Sequence, residues 1–344
     1  MPGYNVAILG ATGMVGQEFV NVLEQRRFPM VRVSLLASDR SAGRAMKVNG
    51  QELEVKEADD DSFAGIDIAL FSAGSDVSRH FSPIAARSGA VVIDNSAAFR
   101  MDKDVPLVVP EVNPEDIKWH HGIIANPNCA TIQMVVVLYP LHKVNRIKRI
   151  IATTFQSVSG TGTAAVDETI AQTKQILAGQ EATHSVYPHR IAFNLLPEID
   201  VFLDDGYTKE EHKIIDETRK IMHDDSIVAS ATCVRVPVLK GHSEAVTVEF
   251  ERPMSPEEAR SVLAKAPGVI VMDNPKKSIY PQPVIAANTD ETYVGRIRSD
   301  TSNPGGLVMW IVADNLRKGA ALNAVQIAEI VASQNLIPSR GAKK

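Results

Sequence analysis

The run NVAIL (5–9) passes directly into GATGMVG (10–16) and then into MVGQEFVNVLEQR, whose apolar residues Val15, Phe19, Val22 and Leu23 recur at helical spacing. A strand, a glycine-rich turn and a helix in immediate succession constrain this chain more than any other feature. Gly10, Gly13 and Gly16 let the backbone turn tightly and let a phosphate approach it, while the helix start offers N–H donors and the positive end of its dipole. The three-apart spacing departs from the usual G-x-G-x-x-G, and a glycine turn without a ligand is the plain alternative. Its place between a strand and a helix favours dinucleotide binding, with Gly10, Ala11, Thr12, Gly13, Met14, Val15 and Gly16 forming the phosphate loop.

The same alternation continues over the first 130 residues. VRVSLLAS, IDIALFSA and AVVIDNS read as apolar strands and DVSRHFSPIAARSG as a helix, the pattern of a parallel sheet covered on both faces. From about Ile147 the character changes. RIIATTFQSV, TCVRVPVLKG, EAVTVEF and TYVGRIRSD alternate as strands do in a sheet with one solvated face, and helices are expected at 163–178, 208–223 and 255–265. Residues 312–334 read as one long helix. The fold class is therefore α/β: a Rossmann-type dinucleotide-binding domain plus an α+β domain with a mostly antiparallel sheet. The expected boundaries are 1–128 with 312–344 for the first, the carboxy-terminal helix returning to it, and 129–311 for the second. A chain of 344 residues is long enough for two such cores.

Net charge of −5 argues against a general nucleic-acid binder, and the apolar run around MVVVLYPL is well short of a membrane span. MPGY leads straight into the first strand without a targeting pattern, and two cysteines in such a chain suit a reducing compartment, so a cytoplasmic protein is expected. Lys143, Arg146, Lys148 and Arg149 read as a solvated face, and the closing GAKK as a frayed basic tail.

The second strand should end beside the adenosine ribose, where its tip reads Ala37-Ser38-Asp39-Arg40. A hydroxyl with an arginine suits a 2′-phosphate, whereas an acidic residue suits a free 2′-hydroxyl. Ser38 and Arg40 favour NADP; Asp39 leaves NAD open.

ANPNCAT (125–131) sets a thiol behind an Asn-Pro-Asn corner, at the first turn of an expected buried helix. Unpaired N–H groups and the dipole there favour a thiolate, although a small buried hydrophobe is the commonest fate of a free cysteine. A nucleophile needs an acid/base partner. Among nine histidines, His242 stands out in a glycine turn between two strands, while His120, His121, His142, His184 and His223 lie in polar segments and receive no role. Cys233 alternates within a strand and reads as packing.

The segments ILGATGMVG, ASDRSAG, IDNSAAFRMD, VVPEVN, ANPNCAT, FQSVSGTG, FNLLPEID, EEHKIIDETRKI, RVPVLKGHSEAV and ADNLRKGAA, in this order, resemble the aspartate-semialdehyde dehydrogenase family along nearly the whole chain. The resemblance implies that Cys129 forms an acyl-enzyme, that His242 is the acid/base and that Gln156 orients the acyl group. It implies Arg100 and Lys213 on the substrate phosphate, Arg235 on its α-carboxylate and Glu210, rather than neighbouring Glu211, on its α-ammonium. Ser159, Gly160 and Asn315 would lie near the nicotinamide, with Ala37, Ser38 and Arg40 on the adenosine side.

The implied reaction is NADPH-dependent reductive dephosphorylation of L-aspartyl 4-phosphate through a thioester, releasing L-aspartate 4-semialdehyde and inorganic phosphate. Such a step serves biosynthesis of lysine and diaminopimelate, threonine, methionine and isoleucine. No metal is implied; a homodimer is, with a tetramer left open. Two alternatives are an N-acetylglutamyl-phosphate reductase-like enzyme, whose uncharged amide would give Glu210 no cation to meet, and a non-catalytic dinucleotide-binding relative, which would have lost the thiol, the histidine or the cations.

Overall fold

A computed structural model describes residues 3–338, and the chain divides into two compact units, one of residues up to Asn128 together with those from Ala320 onward, the other Cys129–Gly319. The GAKK tail lies outside the described residues. In the first unit, β1 (Tyr4–Leu9) leads into α1 (Met14–Gln25) and β2 (Met30–Ala37). Short strands β3 (Ala45–Val48), β4 (Gln51–Glu54) and β5 (Lys56–Glu57) follow, then β6 (Ile68–Phe71), α2 (Ser75–Arg87), β7 (Val91–Asp94) and β8 (Ile123–Ala125). Six strands form an all-parallel sheet in the order β5-β2-β1-β6-β7-β8. Successive strands leave β1 in opposite directions, so the strand order reverses beside its carboxy end, where α/β sheets open a ligand crevice. β6 and β7 are wholly buried, IALF an unbroken apolar run and VVID apolar up to the buried Asp94, because helices cover both faces. One core layer joins Val6, Ile8, Phe19 and Leu23 to the returning carboxy-terminal helix; the other joins Leu9, Phe63, Phe71 and Ala85.

The second unit opens with α3 (Cys129–Val144), which is buried from Ala130 to Leu138. It continues with β9 (Ile147–Ser157), α4 (Thr163–Leu177), α5 (Lys209–Met222), β10 (Val228–Val236), β11 (His242–Phe250) and α6 (Pro256–Leu263). β12 (Val269–Val271), α7 (Pro283–Ala286), β13 (Thr292–Ser299) and β14 (Leu307–Ala313) complete it. The sheet order is β10-β9-β11-β14-β13-β12. It is antiparallel through its centre and parallel at both edges, so the expected mostly antiparallel sheet is a mixed one. Along β9 the expected alternation is visible: Ile150, Ala152, Thr154 and Gln156 are buried, whereas Ile151, Thr153 and Phe155 are not. α4, α5 and α6 fall within the expected ranges. Lys143, Arg146, Lys148 and Arg149 are exposed, with Arg146 paired to Asp224 and Arg149 to Glu249.

One expectation needs correction. Residues 312–334 are not a single helix: Val312 and Ala313 finish β14, a five-residue π-helical turn spans Arg317–Ala321, and α8 runs from Leu322 to Ser333. Asp314 is the physical cause. Its carboxylate accepts the N–H groups of Leu316 and Arg317 (2.9 and 3.1 Å), a local turn that competes with the helix ladder. The chain therefore returns to the first unit at Ala320, later than expected, because β14 belongs to the second sheet. No helix of the described residues is long and apolar enough to cross a membrane.

Candidate active site

The glycine loop of the first unit is shaped by contact. Gly10 has φ +83°, and a Cβ there would meet Ser72 O at 2.2 Å. A Cβ on Gly16 would lie 2.2 Å from Gly10 O, so only glycine lets α1 pack onto the turn below it. The backbone N–H groups of Gly10 and Ala11 both donate to Leu36 O at the end of β2 (2.8 and 3.1 Å), tying the loop to the adjoining strand. Gly13, the N-cap of α1, brings no capping side chain, which leaves the first-turn N–H groups for a ligand anion. These residues fit a pyrophosphate. Thr12, Met14 and Val15 are half-buried, and Ala11 is buried. At the tip of β2, Ala37 is buried while Ser38, Asp39 and Arg40 are exposed. Asp39 is used locally, accepting the Arg40 N–H at 2.7 Å.

Arg100 also belongs to the first unit. It is buried, its Nε donates to Asn126 O (3.0 Å) and its Nη2 to Asn95 O (2.7 Å).

The second unit brings most of the other expected residues together. Cys129 is the first residue of α3 and half-exposed. It packs against the π turn: a Cβ on Gly319 would sit 2.9 Å from Cys129 Cβ, so glycine is required for the two segments to approach. His242 opens β11 and is fully buried. Its Nδ1 accepts the Ser157 backbone N–H at 3.0 Å and lies 3.1 Å from Ser157 Oγ. Burial and then the nearby Arg235 cation push its pKa down to about 3, against a smaller opposing effect of Glu210. Nε2 has no hydrogen-bond partner among the described residues.

Asn315 is fixed at the same place. Its Oδ1 accepts Gly241 N–H (2.8 Å), Ser157 Oγ–H (3.1 Å) and Ser159 Oγ–H (3.2 Å), so Ser159 and Asn315 form one network with His242. Gly160 follows: a Cβ there would lie 3.0 Å from Arg235 Nη1 and 3.3 Å from both Cε1 and Nε2 of His242. The missing side chain keeps space open in front of the Arg235 guanidinium and the His242 ring. Arg235 is itself buried, and its Nη1 donates to Ser157 O at 2.9 Å.

A second cluster centres on Glu210. Its carboxylate accepts Gln156 Nε2 (3.0 Å) and Lys213 Nζ (3.1 Å), the latter an i,i+3 pair on α5. Gln156 Oε1 accepts from Thr154 Oγ1 at 3.1 Å, which sets the amide's orientation. Glu211 is occupied elsewhere: it closes a capping box with Thr208 and accepts the Cys233 N–H at 2.9 Å. Lys213 has its pKa raised; burial opposes its charge, but Glu210 and Asp200 outweigh it. Cys233 is fully buried, and burial raises its thiol pKa well above the usual range.

Reading the sequence missed Asp200, Ser157 and Glu244. Asp200 lies 2.7 Å from Lys213 Nζ. Glu244, two residues beyond His242 on β11, is a fully buried acid whose pKa burial raises, with Gln133 of α3 opposing weakly. The acid in the motif GHSEAV was a usable signal for Glu244 alone. The other two act through distances that no motif carries.

Comparison with known proteins gives concordant results. The family model "Semialdehyde dehydrogenase, NAD binding domain" matches residues 5–120, and "Semialdehyde dehydrogenase, dimerisation domain" matches residues 138–318. The chain is 57% identical over 339 residues to an aspartate-semialdehyde dehydrogenase of Aquifex aeolicus, covering 97% of this chain and 100% of that protein. It is 49% identical to one of Bacillus subtilis, covering 97% and 99%. Among solved structures, aspartate semialdehyde dehydrogenase II of Vibrio cholerae complexed with ASA matches with a TM-score of 0.94 at 47% identity, covering 97% of this chain and 99% of that one. An enzyme of that name from Candida albicans with NADP matches with a TM-score of 0.75 at 26% identity, covering 98% and 100%.

Proposed function

The chain belongs to the aspartate-semialdehyde dehydrogenase family, and from that premise we propose that it reductively dephosphorylates L-aspartyl 4-phosphate to L-aspartate 4-semialdehyde, with NADPH as the reductant. One observation carries the reading. A single unit holds a thiol at the first residue of a helix, a buried arginine, a lysine–glutamate pair and a buried imidazole with an open Nε2. That set answers, group for group, an acyl phosphate bearing a carboxylate and an ammonium. An uncharged acetylated amine would leave Glu210 without a ligand cation, and a binding protein would have no use for the thiol.

Cys129 is the nucleophile. The amino end of α3 favours its thiolate, which displaces phosphate and carries the acyl group as a thioester. Arg235 clamps the α-carboxylate through its planar guanidinium, Glu210 receives the α-ammonium, and Lys213 with Arg100 meets the phosphate. Gln156 orients the acyl group, and His242 is the acid/base. The Gly10–Gly16 loop holds the dinucleotide phosphates, with Ala37, Ser38 and Arg40 on the adenosine side and Ser159, Gly160 and Asn315 on the nicotinamide side. The reduced dinucleotide, when bound, supplies the hydride. The dimerisation-domain likeness supports a homodimer.

The test runs the reaction backwards. L-aspartate semialdehyde should reduce NADP only when phosphate is present, and Cys129→Ser should abolish turnover while NADP still binds. Phosphate-independent reduction, or a serine variant near the wild-type rate, would rule the reading out.

A further inference from the structure

We propose that Tyr187 is a positioning residue for the substrate carboxylate: its ring lies against the Arg235 guanidinium and fixes the plane in which Arg235 meets that group. The consequence for substrate rests on the function proposed above, whereas the contact between the two side chains does not depend on it.

Arg235 is buried, yet hydrogen bonds do little to orient its guanidinium. Nη1 donates to Ser157 O at 2.9 Å, while Nε, shut off from solvent, has no hydrogen-bond partner among the described residues. A single hydrogen bond leaves the plane free to turn about it. A bidentate clamp, by contrast, works only when the fork lies in the plane of the carboxylate. The Tyr187 ring supplies the missing restraint. Arg235 Cζ lies 6.0 Å from the ring centroid, at the outer edge of the range over which a cation is drawn to an aromatic face. Burial pushes the Tyr187 phenol pKa up, against the opposing effect of the Arg235 cation. The side chain therefore offers Arg235 a neutral π face and not a charge.

The ring is itself held. Its hydroxyl lies 2.8 Å from Thr161 Oγ1. Thr161 follows Gly160, the residue whose missing side chain leaves room in front of Arg235 Nη1. The backbone of Tyr187 belongs to the segment between α4 and α5, and that segment is tied down along its length. Glu168 of α4 accepts the Ser185 and Val186 N–H groups at 2.6 and 2.8 Å. Gln172 of α4 accepts those of Ile191 and Ala192, both at 3.0 Å. Leu196 then pairs with the Arg235 backbone in both directions, at 3.0 and 2.8 Å. Val158, Ala165, Ile191 and Leu196 form a small core against which Tyr187 packs. The segment that carries the ring thus returns to the strand that carries the arginine, and ring and guanidinium are built as one wall.

Steady-state kinetics of the full-length enzyme, run toward NADP reduction, test this together with arginine side-chain spectra. Tyr187→Ala should raise the KM for L-aspartate semialdehyde about 5–20-fold, the scale of a partly desolvated cation–ring contact. The KM for phosphate, whose proposed partners are Lys213 and Arg100, should not move with it. Tyr187→Phe keeps the ring and should recover most of the loss. An unchanged semialdehyde KM in Tyr187→Ala, a phosphate KM rising in step, or a phenylalanine variant as impaired as the alanine one would overturn the proposal. In protein labelled with ¹⁵N-arginine, comparison with Arg235→Lys identifies the Arg235 Nε–H signal. That signal should shift and exchange faster with water in Tyr187→Ala, and return toward its original position in Tyr187→Phe. A signal indifferent to Tyr187→Ala would overturn the proposal as well. The spectra need no substrate, so they judge the contact separately from the proposed activity.

Discussion

The carboxylate of Asp200 lies 2.7 Å from Lys213 Nζ, closer than Glu210 at 3.1 Å. The cation proposed for phosphate is therefore shared between its own helix and a corner where Asp200 adopts φ +67°. Asparagine tolerates that conformation as aspartate does, so Asp200→Asn removes a charge with little backbone disturbance. Losing a partly exposed negative charge beside the proposed phosphate site should lower the KM for phosphate about 2–5-fold. Asp200→Ala, which also loses the hydrogen bond that places Nζ, should raise it. Initial rates against phosphate concentration distinguish the two; identical KM values in both variants would leave Asp200 with no positioning role.

Gly160 controls the space before Arg235 and the His242 ring. Alanine there would place a methyl 3.0 Å from Arg235 Nη1 and 3.3 Å from His242 Nε2, tighter than ordinary contact. Gly160 is exposed, so the fold has room to relax. Gly160→Ala should lower kcat/KM by about 10–100-fold, the scale of a small misplacement of catalytic groups, with an almost unchanged Tm. A large drop in Tm with normal specific activity would be the opposite result.

Glu244 couples stability to pH. Its folded pKa is raised by burial, so the folded state keeps its proton where the unfolded chain loses it near 4.5. The unfolded state then binds fewer protons, and stability falls as pH rises above that value. Glu244→Gln mimics the protonated acid and should raise Tm at pH 8, with the gain shrinking as pH falls through about 5. Thermal melts at several pH values measure this. A gain that does not vary with pH would show that the carboxyl is ionised in the fold.

The two cysteines should separate cleanly by reactivity. Cys129 is half-exposed, whereas Cys233 is fully buried with a raised thiol pKa. Native protein titrated with a thiol reagent at pH 8 should show one fast-reacting group and unfolded protein two, and Cys129→Ala should lose the fast one. Two fast thiols in the native state would contradict the buried placement.

Much of this was legible in the chain. Period-two and period-3.6 patterns, glycine spacing and the first residue of a helix are local properties, so the parallel sheet, the glycine turn between β1 and α1, the position of Cys129 and helices α4–α6 could be read from neighbouring letters. The Glu210–Lys213 pair follows from helical spacing alone. What failed or stayed open was decided at long range. Residues 312–334 carry a helical pattern, yet β11 and β13 claim Val312 through backbone pairing and Asp314 stops the ladder. Glu210 and Glu211 look alike as letters; only Thr208 and Cys233, one of them 22 positions away, show that Glu211 serves the fold. The hydrogen bond that holds the His242 ring comes from one amide 85 positions earlier, brought to it because β9 and β11 lie side by side. Local periodicity determines which elements form; the direction of a hydrogen bond between distant strands is set only when the sheet closes.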